Sequence, residues 1–312
     1  MAPNDRSNDH VDHDDNKRPG FLRRAFNSAR MFVNRFRKRH LDNALVACAR
    51  KGQDLSAAFL ISSGADPACH DNLPLKEAAK VGHLGTLRLL IKHGVKASGS
   101  HSGALHEAIR AGERHAATYL LQEGADINAR DSEAIIIASQ TNNLRMMEML
   151  LEHKADVNAR NGEPLKQAAI AGHQHIVRLL IKSGADVTHN DNAALYWACR
   201  HGHQRVAEVL VGAGADVHAK NDVMVDVAAR FGHVDVLKFL LQKGAHVPAN
   251  GGLALQWAKE YGQTQCQRIL EDHLAAQKVA ANNNQPPESC ELPQRKDAAA
   301  GAYKPPLIKG GP

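Results

Sequence analysis

The strictest constraint on this chain is a sequence step of 30 residues that never drifts. A short motif recurs as GADP at Gly64, GVKA at Gly94, GADI at Gly124, KADV at Lys154, GADV at Gly184 and Gly214, and GAHV at Gly244. An aliphatic column keeps the same step: Leu45, Leu75, Leu105, Ile135, Leu165, Leu195, Val225 and Leu255. Three residues further on lies a column of small side chains: Cys48, Ala78, Ala108, Ala138, Ala168, Ala198, Ala228 and Ala258. A third column reads Gly52, Gly82, Gly112, Asn142, Gly172, Gly202, Gly232 and Gly262. A fixed step of this length marks a stack of like units, since each unit alone is too small to bury its own apolar face.

Each unit reads as two short helices. Leu75, Ala78, Ala79 and Gly82 fall at i, i+3, i+4 and i+7, one face of a helix. Gly82 is then the left-handed residue that ends it, and Asn142 is expected to do the same in the fourth unit. A second helix follows with Leu84, Leu87, Leu90 and Ile91, closed by Gly94. The small column lets neighbouring first helices approach closely. Lys154 stands where the other units place glycine, with one exposed strain of about 1–2 kcal/mol. The fourth unit is therefore expected to be the weakest joint.

The strings PLKEAAKVGHLGTLRLLIKHG (74–94) and EPLKQAAIAGHQHIVRLLIKSGADV (163–187) resemble the ankyrin repeat. Pro74-Leu75 and Pro164-Leu165 match part of its Thr-Pro-Leu-His box, and the Thr is absent. The usual period is about 33 residues. The three missing residues fall between units, where that family's β-hairpin sits. The pattern is similar to the 30-residue ankyrin repeats of giant viruses and host-associated microbes. The resemblance implies an all-α solenoid of about eight stacked helix-turn-helix repeats over residues 41–277, with shortened connections. It also implies a non-enzymatic scaffold or adaptor that binds a protein partner on a concave face. A secreted effector acting on host proteins is a further implication. In that family the His after the helix-ending Gly sits in the turn and bonds to the adjacent repeat, which accounts for His83, His173, His203 and His233 without a metal.

The ends differ from the repeats. Residues 1–16 are polar and acidic and are expected to be disordered. Residues 17–40 carry nine Lys or Arg and no acid, so the formal charge of +6 belongs to this segment and the remainder stands at −3. The pI therefore does not point to nucleic acid. Leu22, Ala25, Phe26, Ala29, Phe32, Val33 and Phe36 make an apolar stripe, giving a basic amphipathic helix. It is read as a cap on the first unit. The alternatives to the cap are binding of residues 21–37 to an anionic membrane and use of Arg35–Arg39 for nuclear import. Residues 278–312 are Ala-, Asn-, Pro- and Gly-rich and are expected to be disordered. Five irregularly spaced cysteines suit a reducing compartment, and neither a signal peptide nor a membrane span is evident. A cytoplasmic, monomeric protein is expected.

Catalytic constellations fail on inspection. His106-Glu107 opens like a zinc-protease box, but Arg110 stands where the second His is needed. His101 replaces the nucleophile in Gly99-Ser100-His101-Ser102-Gly103. No metal or cofactor is expected. What remains is a surface. The two residues before each helix-ending Gly are Lys80/Val81, Arg110/Ala111, Gln140/Thr141, Ile170/Ala171, Arg200/His201, Arg230/Phe231 and Glu260/Tyr261. In the last three units these bring cations and rings together, with Tyr196 nearby. Arg, Tyr and Trp are the side chains that dominate binding interfaces. The contact is expected at Arg200, His201, Arg230, Phe231, Glu260, Tyr261 and Tyr196. Trp197 and Trp257, each just before a column Ala, are read as core.

Overall fold

The computed structural model describes residues 37–248 and 251–283. They are helical, with no strand among the described residues. The first helices of the units are α1 (37–51), α3 (Cys69–Val81), α5 (Gly99–Ala111), α7 (Ala129–Gln140), α9 (Ala159–Ile170), α11 (His189–Arg200), α13 (Ala219–Phe231) and α15 (Gly252–Glu260). The second helices are α2 (Asp54–Ser62), α4 (Leu84–Lys92), α6 (Arg114–Gln122), α8 (Leu144–Glu152), α10 (Gln174–Lys182), α12 (Gln204–Gly212), α14 (Val234–Gln242) and α16 (Thr264–Asn283). Successive first helices pack side by side, as do successive second helices. The first-helix row is the more closely apposed. The small column explains why: Ala78, Ala108, Ala138, Ala168, Ala198, Ala228 and Ala258 are all fully buried between neighbours. One hydrophobic core runs from Leu45 to Leu274.

The short connections are built from left-handed backbone. Three consecutive residues precede the right-handed part of a first helix, and all have φ between 48° and 78°. They are His70-Asp71-Asn72, Arg130-Asp131-Ser132, Arg160-Asn161-Gly162, Asn190-Asp191-Asn192 and Lys220-Asn221-Asp222. Asn and Asp bear this conformation better than other side chains, which explains their recurrence here. Pro74 and Pro164 follow one residue later, in the first right-handed turn, where a missing N–H costs nothing.

The strain is offset by bonds to the next unit. Asp42 Oδ1 accepts the Asp66 N–H (2.7 Å), Ser102 Oγ that of Asp126 (2.9 Å), Asn192 Oδ1 that of Asp216 (2.9 Å) and Asp222 Oδ1 that of His246 (3.0 Å). Where the third residue is Ser132 or Gly162, Asn128 and Asn158 take over, accepting from Asp156 (3.1 Å) and Asp186 (2.9 Å). Six of the units thus reach forward to the backbone of the next.

A second ladder runs along the opposite ends of the first helices. His83, His173, His203 and His233 place Nε2 at 3.2, 3.1, 3.0 and 2.8 Å from the carbonyls of Arg50, Gln140, Ile170 and Arg200. A carbonyl can only accept, so each Nε2 carries the proton. The repeated His is thus an inter-unit tie, as the resemblance implies.

The fourth unit departs from the others in one expected place and one unexpected place. Lys154 is left-handed, φ 63°, as its column requires. Asn142 is not. Thr141 ends α7 in extended backbone (φ −101°, ψ 142°), so the helix stops before a left-handed residue is needed. A β-branched side chain favours that extended state. The Thr141 hydroxyl donates to Ala138 O (3.0 Å), and Asn143 Oδ1 caps α8 by accepting the Met146 N–H (3.0 Å).

Cys48, Cys69, Cys199 and Cys266 are free and buried. Burial pushes the Cys69 and Cys199 thiols up to about 12. α16 runs to Asn283, past the boundary drawn at Gln277. The basic stripe over residues 22–36, the acidic start, and residues 284–312 with Cys290 lie outside the described residues.

Candidate binding face

The turn that follows each first helix holds the residues singled out in sequence, and the His ladder fixes it. One position in that helix, read unit by unit, is Arg50, Lys80, Arg110, Gln140, Ile170, Arg200, Arg230 and Glu260. Three residues earlier stand Ala47, Glu77, Glu107, Ile137, Gln167, Trp197, Val227 and Trp257. These two columns meet along the stack. In the first half they meet as charge pairs. Arg50 Nε donates to Glu77 (2.9 Å) and Arg110 Nη1 to Glu107 (2.5 Å). Gln140 donates to Gln167 at 3.2 Å.

In units six and eight tryptophans stand in the glutamate column, with the buried Val227 between them in unit seven, and the guanidinium groups lie on rings instead. Arg200 Cζ sits 5.2 Å from the Trp197 centroid and 4.9 Å from that of Phe231. Arg230 Cζ sits 5.6, 5.1 and 5.0 Å from Phe231, Trp257 and Tyr261. Arg230 Nη2 also donates to Tyr261 Oη (2.9 Å). The result is an alternating stack, Trp197, Arg200, Phe231, Arg230, then Tyr261 with Trp257. Each guanidinium-ring contact contributes about 0.5–2 kcal/mol, more where water is displaced. Among the described residues neither Arg200 nor Arg230 forms an ion pair, and Arg230 Nε is buried with no hydrogen-bond partner.

Histidines extend the stack sideways. The His201 ring lies on Trp197 (centroids 5.8 Å, 20°) and on His203 (6.1 Å, 17°), and Phe231 lies on His233 (6.3 Å, 21°). Burial, then the charges of His203 and Arg200, hold His201 below its usual range and so neutral near pH 7. The bond from His233 to Arg200 O seats the two arginine-bearing turns in register.

The structure therefore brings Arg200, His201, Arg230, Phe231 and Tyr261 together. Phe231 is 39% and Tyr261 49% exposed. Glu260 is exposed beside them. Tyr196 stands apart: it packs on the core and meets the stack only through the edge of Trp197 (5.7 Å). Trp197 and Trp257 are half-buried members of the face, not core. They were misread because an apolar residue beside the Ala column was assumed to point inward. Glu77 and Glu107 in the same column, beside the buried Ile137 and Val227, were the signal that it borders the surface.

The comparisons with known proteins agree on the architecture. The family model for ankyrin repeats in three copies matches residues 45–131 and 135–221, and the single ankyrin-repeat model matches residues 225–251. The crystal structure of the human ASB11 ankyrin repeat domain superimposes with a TM-score of 0.57 at 24% identity, covering 64% of this chain and 96% of that one. No curated protein matches the sequence. With most of its length matched, the chain belongs to the ankyrin-repeat family.

Proposed function

We propose that this protein is a binding scaffold whose first-helix face in units six to eight grips an acidic segment of a partner protein. Ankyrin repeats are in general protein-interaction modules, and the more closely apposed row of first helices makes this the inner face of the stack. The observation that carries the reading is the exchange of Glu77 and Glu107 for Trp197 and Trp257. Where the glutamates stand, the arginines are already neutralised. Where the tryptophans stand, the guanidinium groups are held in place and keep donors for a partner's carboxylates. Arg in this state forms bidentate bonds that Lys cannot, and it loses little freedom on binding because the rings already hold it. The reading is one of recognition, and what supports it is an exposed array of rings and guanidinium groups held on one another.

The test compares the full-length protein with the R200A/R230A/F231A/Y261A variant in pull-downs and against an array of acidic peptides. The variant gives up its own ring and guanidinium contacts, so it is expected to melt lower than wild type while keeping its helical circular dichroism at the assay temperature, and to lose the bound set. Wild-type binding is expected to weaken as salt rises, because charge attraction is screened over about 8–10 Å. An unchanged bound set would remove this face from the function. A lost set that is indifferent to salt would retain the face and reject the acidic partner.

A further inference from the structure

We infer that the N-terminal face of the stack, centred on Leu55 and Phe59, is a docking site for this chain's own residues 22–36. The evidence is the exposure of α2 measured against its counterparts. The position of Phe59 is held in later units by Leu89, Tyr119, Met149, Leu179, Val209 and Phe239, all half-buried or buried. Ile269 holds it in the eighth unit, which has a predecessor but no described successor, and is half-buried too. The preceding unit is therefore what covers this column. In the first unit nothing described precedes it, and Phe59 is 70% exposed.

Leu55 adds an independent anomaly. Its position faces outward in every unit and is held elsewhere by Gly85, His115, Arg145, His175, Arg205 and Asp235. Only the first unit places a large aliphatic there, 89% exposed. Ala58 likewise stands where later units have Arg88, Glu148, Arg178, Glu208 or Lys238. With Asp54 its only charge, α2 has no polar outer stripe, whereas α10 has a strong one. A helix whose outer face carries large apolar side chains in place of charges is a covered helix.

The chain itself supplies a cover of the right kind. Residues 22–36 directly precede residue 37, the first described residue of α1. Leu22, Phe26, Ala29, Val33 and Phe36 step by four, three, four and three, a single helical stripe about 21 Å long. That is ample to span the nine residues of α2. A tethered segment acts at millimolar or higher effective concentration, which favours it over a second copy of the chain.

The test uses the full chain throughout. L55Q/F59Q alters the receiving face, F26E/V33E alters the stripe, and a fourth protein carries all four changes. Each pair is expected to lower Tm by about 4–8 °C, and all four together by little more than one pair alone, because paired contacts are not additive. Hydrogen exchange gives a second readout that does not need a clean melt: α2 amides are protected in wild type and lose protection in F26E/V33E, or in V33A if the charged variant does not fold. An unchanged or raised Tm for L55Q/F59Q would overturn the inference, as would additive losses. A concentration-dependent dimer that L55Q/F59Q abolishes would assign the face to a second copy instead. Phosphatidylserine vesicles that capture wild type and L55Q/F59Q alike, with no change in α2 protection, would assign the stripe to lipid.

Discussion

Replacing Lys154 with glycine should make this protein more stable, and the structure fixes both the sign and the size. Lys154 holds a left-handed conformation, φ 63°, at the position where the other units have Gly64, Gly94, Gly124, Gly184, Gly214 and Gly244. A Cβ built on any of those six glycines meets no atom within 4 Å. The Lys154 side chain is exposed and forms no ion pair among the described residues. The site therefore penalises a side chain through the backbone dihedral alone, about 1–2 kcal/mol. Glycine gives part of this back by making the unfolded chain freer, about 0.4–1 kcal/mol. The net gain is about 0.5–1 kcal/mol. In a chain of this size that corresponds to a rise in Tm of about 1–4 °C.

Urea unfolding followed by circular dichroism would measure the gain as a higher midpoint at unchanged slope. The control is K154A, which removes the charge and the long side chain but keeps the Cβ. It should leave the midpoint within error of wild type. A K154A protein as stable as K154G would show that the lysine's charge, not its backbone, is at fault. No gain in K154G would refute the dihedral argument outright.

Three further outcomes follow from other parts of the stack. Asn192 is left-handed (φ 61°), buried, and bonded to the Asp216 N–H, so N192A should cost about 2 kcal/mol in urea unfolding and N192G about 1, the difference being the dihedral strain. Burial, opposed by the Ala254 N–H and reinforced by Asp222, pushes the Asp226 carboxyl up to about 6. A folded pKa above the unfolded one means that stability is greatest with the group protonated and falls as pH rises from about 4 to 6; D226N should therefore stabilise by about 1–2 kcal/mol at pH 7, after allowance for screening, and by nothing at pH 3. Cys199 is fully buried with its thiol at about 12, so mass spectrometry after a thiol reagent at pH 8 should find it unmodified until urea unfolds the chain.

The stack was legible in sequence because its cause is periodic. Leu45 to Leu255 and Ala78 to Ala258 repeat since every interface between units is the same interface, and the recurrent His was readable for the same reason. The left-handed turns were not. Asn190-Asp191-Asn192 reads only as a loop, because three residues carry no periodicity of their own and the turn is held by an N–H that arrives 24 residues later, from Asp216. Asn142 was misread by treating a column as a conformation, when its neighbour Thr141 had already decided the backbone.

The binding face shows where a different reading would have succeeded. Taken unit by unit, Trp197 is an apolar residue beside a core alanine, and burial is the natural inference. Taken down its column, it follows Glu77, Glu107 and Gln167 as well as the buried Ile137, so the position borders the core and admits either a buried aliphatic or a side chain that reaches the surface. In a repeat protein each unit is a control for the others, so the informative residue is the one that breaks its column. Lys154 breaks a backbone column, Leu55 a solvent-facing one, and the two tryptophans bring aromatic rings to a column that holds none elsewhere. Packing within the stack explains none of these three departures, which is why the search for function begins at the second and third.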